Sequence, residues 1–279
     1  MHTRIVKEIV AGSVLVALEA LLLYGHDLFG GQSNSAVLPT ANHVHYAPVT
    51  RLASIQHSQN WAGYEVTADS YRSVSATWRI PALSSSRGVA AQWIGLGGVN
   101  SRELIQTGTI EQQTRQGPSA DVFVEKLPNH AQNLMTVPIG ASIAAAIVPG
   151  GVNQWKLTIT ARYQGQVHTK SVMMQISPAY ARGIETSAEW IFEDPAHNRG
   201  ALYPLATTQP LTFQNVEANN QPIGSASALI MTGRRGQAKV EPSMMRSGAF
   251  TVTDVRHASL RPYPWRRWRE RTPVVVWQE

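Results

Sequence analysis

The sequence predicts an all-β fold, an antiparallel sandwich or barrel, and three observations point there. Beyond Gln59, short runs rich in Val, Ile, Thr and aromatic residues recur, broken by Gly, Pro and Asn every dozen or so residues. That spacing belongs to antiparallel strands rather than to alternating strands and helices. Charged residues make up only 15% of the 279 residues while apolar ones reach 43%, so a large core is available and disorder throughout is excluded. There is no cysteine. Packing must therefore hold the fold without disulfides, and thiol nucleophiles, iron–sulfur clusters and structural Cys-zinc sites are excluded.

Along the chain, Arg4 and Lys7 precede an apolar run over 9–25 that only Ser13 and Glu19 interrupt. This is the charged-then-apolar layout of a secretory signal, so residues 1–29 are expected to be a signal peptide or an uncleaved signal anchor. Residues 30–58 turn to Gly, Ser, Asn, Pro and His and read as a linker or short pro-segment. His43 and His45 lie there without a third ligand at a supporting spacing, so they read as solvated and no metal is expected. The β domain spans 59–255, with strands expected at 74–80, 90–96, 103–110, 121–125, 142–148, 154–163, 170–176, 187–192, 211–216 and 249–255. Pro149-Gly150-Gly151 reads as a hairpin connection.

The net charge of +6 is concentrated at the end of the chain. Residues 256–279 hold six Arg against Glu270 and Glu279, and in this tail Tyr263, Trp265 and Trp268 interleave with the arginines. Arginine with tryptophan suits an anionic membrane or cell-wall surface, or a segment folded back on the sandwich. The main domain is not basic, and no nucleic-acid partner is expected.

Familiar nucleophilic and phosphate-binding motifs are absent: no Gly-x-Ser-x-Gly, Ser-x-x-Lys, His-Glu-x-x-His or phosphate-cradling Gly-rich loop. What remains is a set of carboxylates and amides inside apolar strands, where a polar group is costly without a partner. In Ser187-Ala188-Glu189-Trp190-Ile191-Phe192-Glu193-Asp194, strand alternation puts Trp190 and Phe192 on one face and Glu189, Ile191 and Glu193 on the other. Two carboxylates on one face, in a desolvated cleft, would raise each other's pKa and so suit general base and acid chemistry; on a solvent-facing sheet surface they would merely be hydrated. Gln106, in Leu104-Ile105-Gln106-Thr107-Gly108, carries an amide that can donate to a developing oxyanion. The glycines of Trp93-Ile94-Gly95-Leu96-Gly97-Gly98 offer close access to the backbone or mark bulges.

In order, these segments resemble the glutamic peptidase (eqolisin) family. The motifs are Asn60-Trp61-Ala62-Gly63, Val74-Ser75-Ala76-Thr77 with Pro81, Trp93-Ile94-Gly95, Leu104 to Gly108, Glu125 with Pro128, and Ala188 to Asp194. The resemblance implies a concanavalin A-like or jelly-roll sandwich of two curved antiparallel sheets, with a substrate cleft on the concave face. It implies an exported, acid-acting, monomeric endopeptidase for polypeptide substrates that needs no cofactor. Residue by residue, it puts the catalytic pair on Gln106 and Glu193 and the residues that line or support the cleft on Trp61, Trp93 and Glu125. Two departures stand out: Gly97 occupies a position that is acidic in fungal members, and the aromatic stretch around Glu125 is reduced to Val122, Phe123, Val124, Lys126 and Leu127. The absence of cysteine resembles a prokaryotic member. A carbohydrate-binding or sugar-cleaving sandwich, and a non-catalytic interaction module, stay open on the residues alone.

Overall fold

Sixteen strands and one short helix make up residues 49–67, 70–84, 87–197 and 201–256, which the computed structural model describes. The expected signal segment, the linker up to residue 48 and the tail from 257 lie outside the described residues. In chain order the strands begin with β1 (Arg51–Ser58), β2 (Trp61–Thr67), β3 (Val74–Arg79) and β4 (Val89–Gly97). Then come β5 (Leu104–Thr114), β6 (Gly117–Lys126), β7 (Gln132–Pro138), β8 (Ser142–Gly151), β9 (Gln154–Tyr163) and β10 (Gln166–Gln175). After helix α1 (Pro178–Ile184) follow β11 (Ser187–Glu193), β12 (Leu211–Ala218), β13 (Gln221–Pro222), β14 (Ser225–Thr232), β15 (Ala238–Pro242) and β16 (Phe250–Asp254).

The strands form two layers. One runs β10-β9-β8-β3-β12, the other β16-β15-β14-β2-β11-β4-β5-β6-β7. The expected two sheets are joined into one: β12 pairs with β16 through Leu211–Phe213 and with β3 through Gln214–Ala218. Among the described residues, all pairings between two of these strands are antiparallel except that of β1 with β14. Between the layers β4 packs on β3 and β8, and β5 on β8 and β9.

Alternation decides which side chains fill this space. In β9, Trp155, Leu157, Ile159 and Ala161 are buried, while Lys156 and Arg162 point out. On the outer side, hydroxyl pairs Thr158–Ser171 and Thr160–Thr169, each at 2.9 Å, tie β9 to β10. The core centre is aromatic: Phe250 lies 4.8 Å from Tyr64 and 5.1 Å from Phe213, ring to ring. Each fully buried ring contributes roughly 2–3 kcal/mol by area alone. Two indole N–H groups of the core are matched, Trp190 to Ser75 O at 2.9 Å and Trp155 to Arg72 O at 3.3 Å.

The ten expected strands are present, with ends shifted by a few residues. The β8–β9 turn falls at Val152–Asn153, where Asn153 has φ 55°, because β8 continues through the Pro-Gly-Gly run. Gln164–Gly165 and Asn219–Asn220 take positive φ at both positions and close two-residue hairpins. Residues 51–58, expected as linker, form β1. Their side chains are mostly exposed, so no apolar alternation marks a strand that main-chain bonds to β14 hold. Helix α1 was not expected, although Ser177 and Pro178 are a cap and first-turn pair: the Ser177 hydroxyl accepts the Tyr180 N–H.

One carboxyl sits inside the sandwich. Glu111 is fully buried, accepts Gln92 Nε2 at 2.6 Å, and is pushed up to about 8 by burial, which the Thr109 and Gln92 hydrogen bonds only partly offset. The folded state therefore holds it protonated, whereas the unfolded chain ionises near the ordinary 4.5. Between 4.5 and about 8 the unfolded state gains stability on losing this proton, so the fold is at its firmest below that window and weakens through it. Glu111→Gln, which mimics the protonated acid, is expected to match the wild-type Tm near pH 4 and to exceed it increasingly towards pH 8, as read by thermal melts across that range.

Candidate active site

β11 lies between β2 and β4, and β4 is followed outward by β5 and β6. Their register arranges one face of the sheet in rows. Asp121, Ile110, Ala91, Glu193 and Trp61 form the first, on β6, β5, β4, β11 and β2; Phe123, Gly108, Trp93, Ile191 and Gly63 the second; Glu125, Gln106, Gly95, Glu189 and Glu65 the third. All point away from the core that Trp190, Phe192, Ile94 and Ile105 enter from the opposite face. Ala91, Trp93, Leu104, Phe123, Ile191 and Leu229 make a second apolar cluster there, against which Trp61, Ile110 and Leu127 pack. Trp93, Ile191 and Glu189 are 0% exposed although they leave the sandwich interior. The sheet thus curls around this face, and polar groups on it are largely removed from water.

The middle row makes the site possible. Trp93 is flanked across the strands by Gly108 and by Ile191, with Gly63 beyond. A Cβ on Gly108 would lie 2.0 Å from Gln92 O and 2.6 Å from Trp93 Cβ, so only glycine fits there. The indole can then extend into the first row, where Nε1 donates to Glu193 Oε2 at 2.6 Å. Asn60 Nδ2 donates to the other oxygen at 3.3 Å. Trp61 packs edge-on against Trp93, 5.1 Å between centroids. Its N–H has no hydrogen bond of full geometry, yet lies where it favours the Glu193 charge.

Glu193 is pushed up to about 7. Burial is the main cause; the Trp93 and Trp61 N–H groups oppose it, the Glu125 charge adds to it, and Asn60 opposes it. In the third row Gln106 Nε2 donates to Glu125, while among the described residues Gln106 Oε1 has no partner, and the residue is 6% exposed. The amide has a second N–H beyond the one given to Glu125. Burial also raises Glu125, against the Gln106 hydrogen bond and the His130 charge.

All five sequence-predicted residues share this face. Trp61 and Trp93 meet Glu193 directly; Gln106 meets Glu125, whose charge reaches Glu193. The mutual effect expected between Glu189 and Glu193 does not arise, because they stand four residues apart along β11, about 13 Å. Glu189 is raised well above the ordinary range by burial and by the charge of Glu65, its cross-strand neighbour, against the Ser187 hydroxyl. Sequence reasoning did not single out Asn60 as a site residue; its place beside Trp61 in the first motif was the available signal. At Gly97, φ is +87° and a Cβ would lie 2.1 Å from Glu103 O and 2.8 Å from Ile184 Cα. The acid found there in fungal members is excluded by this backbone.

The sequence model of the Peptidase A4 family matches residues 59–254. The chain belongs to this family. It is a hydrolase of peptide bonds, a glutamic peptidase. Aspergillopepsin-2 of Aspergillus niger is 24% identical over 226 residues, covering 72% of this chain and 79% of that one. Scytalido-glutamic peptidase, solved with a transition state analog inhibitor, superposes with a TM-score of 0.60 at 21% identity over 71% of this chain and 99% of its own. SCP-B, an eqolisin solved with the tripeptide Ala-Ile-His, gives 0.56 at 20% identity and the same coverage. At these identities the structural likeness establishes the fold, and it matches the expected sandwich.

In this peptidase the surroundings of Glu193 have opposite leverage on its ionisation. Trp93→Phe removes a donor that favours the carboxylate, so the Glu193 pKa rises. Glu125→Gln removes a charge that opposes ionisation, so it falls. Carboxyl titration of Glu193 followed by NMR should therefore shift in opposite directions in the two variants.

Proposed function

We propose that the chain is an exported endopeptidase working under mildly acidic conditions, with Glu193 as general base and then general acid and Gln106 as oxyanion donor. The observation that carries this is the Glu193 carboxyl: half-buried, bound at both oxygens by Trp93 and Asn60, and held near 7, where a group can both take and return a proton. The family match and the shared face of Gln106 and Glu193 support it. Trp61 and Glu125 line, and the fully buried Trp93 supports, the face on which a polypeptide would lie.

A water between the two residues gives its proton to Glu193 as its oxygen attacks the scissile carbonyl carbon. The carbonyl oxygen becomes an oxyanion, which the second Gln106 N–H stabilises. Collapse of the tetrahedral adduct breaks the C–N bond, and Glu193 passes its proton to the leaving nitrogen, returning to the carboxylate. The ionised fraction of a base near 7 falls tenfold per pH unit below that value, so this group sets the acid limb of the profile, and working in acid is proposed on the family match. Export rests on the signal-like segment; among the described residues no helix is long and apolar enough to cross a membrane.

Glu193→Gln is expected to fold and to lose peptide cleavage, since it keeps volume and removes the base. Gln106→Ala should lower kcat roughly 100- to 1000-fold with a smaller change in KM, because an oxyanion contact acts in the transition state. Turnover of a denatured protein substrate between pH 2 and 7, with pepstatin and EDTA present and the cut sites mapped, reads both. Wild-type rates in either variant would remove that residue from the mechanism.

The basic tail is proposed to hold the enzyme at an anionic surface. Arg256 is already part of the domain, its guanidinium paired with Asp254 at 2.6 Å and bound to Leu205 O at 3.1 Å. Deleting residues 257–279 should therefore spare cleavage of soluble substrate and abolish salt-sensitive sedimentation with anionic vesicles. Equal sedimentation before and after deletion would refute this role.

A further inference from the structure

The pair Gln106–Glu125 sits close to where β5 begins and β6 ends. Leu104 precedes Gln106 by two residues and Leu127 follows Glu125 by two. Between Leu104 and Leu127 lies a junction that a side chain from another element closes: Tyr180 of α1. Its hydroxyl accepts the Leu104 N–H at 3.1 Å and shares its proton between Leu104 O at 2.9 Å and Leu127 O at 2.7 Å. Leu127 N–H donates to Leu104 O at 3.0 Å across the same junction. The Lys126 ammonium lies 4.9 Å from the centre of the Tyr180 ring and donates to Gln175 O at 3.1 Å, joining the end of β6 to the segment that leads into the helix.

The helix is itself anchored under the site strands. The Ser177 hydroxyl caps it by accepting Tyr180 N–H, and Ser101, in the β4–β5 loop, donates to Gly183 O at 2.9 Å. Ile184 is fully buried, with its Cα against Gly97. A phenylalanine at 180 would fill the same space, so packing does not require the hydroxyl. What the hydroxyl adds is a fixed separation of the ends of β5 and β6, each two residues from the amide and the carboxyl that must meet.

We propose that Tyr180 is a positioning residue for catalysis: its three main-chain hydrogen bonds hold Gln106 against Glu125 so that the remaining amide N–H is aimed at the reacting carbonyl oxygen. This rests on Gln106 being the oxyanion donor. An oxyanion donor works through geometry, and displacement by about 1 Å can cost 100-fold in rate. The phenol touches neither substrate nor water in this role and acts through the strands.

Tyr180→Phe, Ser177→Ala, Gln106→Ala and the Tyr180→Phe/Gln106→Ala double variant test it, each assayed on a peptide substrate below its own Tm. Tyr180→Phe is expected to lower kcat roughly 10- to 100-fold with KM within about threefold. Ser177→Ala, which loosens the helix but leaves the phenol, should lower Tm and keep kcat near wild type. In the Gln106→Ala background, Tyr180→Phe should change kcat less than about twofold, since the group it positions is gone. Wild-type kcat in Tyr180→Phe, an equal loss with and without Gln106, or the same kcat loss in Ser177→Ala would each overturn the proposal. Wild-type turnover in Gln106→Ala would instead defeat the oxyanion reading and this inference with it; a large loss there beside a normal Tyr180→Phe defeats this inference alone.

Discussion

The hydrogen-bonded register of β11 between β2 and β4 is the constraint on which the site depends. With period-two alternation, it sends Ala188, Trp190 and Phe192 into the sandwich and Glu189, Ile191 and Glu193 to the opposite face. A slip of one residue would exchange the two sets, placing carboxylates in the core and indole and phenyl rings in the cleft. The rows that hold the site, from Glu125 across to Glu65 and from Asp121 across to Trp61, exist because five neighbouring strands keep this register together. Core packing and the proposed site are thus specified by the same main-chain bonds, and the bulky inward residues fix the register on which that site is built.

Burial gives the carboxyls their character. Glu111 inside the sandwich, Glu189 beside Glu65, and Glu193 beside Trp93 are all raised, mainly because the ionised form is removed from water. They differ in what offsets that penalty. Glu193 has N–H donors at both oxygens and is held near 7, while neither Glu189 oxygen has a hydrogen bond of normal geometry. One environment keeps a proton mobile and the other keeps it bound. Each protonated acid in dry surroundings favours the fold more as the pH falls through its raised pKa.

Much of this was legible along the chain. Strands such as β9 declare themselves by alternation, and the glycines, prolines and asparagines between the strands mark most of the turns. Among the strands outside the expected runs, β1 is held by main-chain bonds along β14 and β7 has no apolar rhythm in Gln132, Asn133 and Met135, while β14 was missed although Ala226 and Ala228 to Met231 are buried. Helix α1 was hidden among strand-like neighbours, although Ser177-Pro178 carried its start signal.

The sequence by itself determined the class of fold, the family and the residue types available for chemistry, because strand periodicity and short motifs are local properties. The tertiary structure decided which of those residues meet. Glu193 takes its charge coupling from Glu125 rather than from Glu189, and its hydrogen bonds from Trp93 and Asn60, which lie 100 and 133 residues away along the chain. Gly97 excludes a carboxylate because Glu103 O and Ile184 Cα occupy its side-chain space, and Tyr180 reaches the ends of β5 and β6 from an element far along the chain. Burial, and the distances that set a pKa or aim an amide, belong to the packed sheet as a whole, and a linear pattern carries neither.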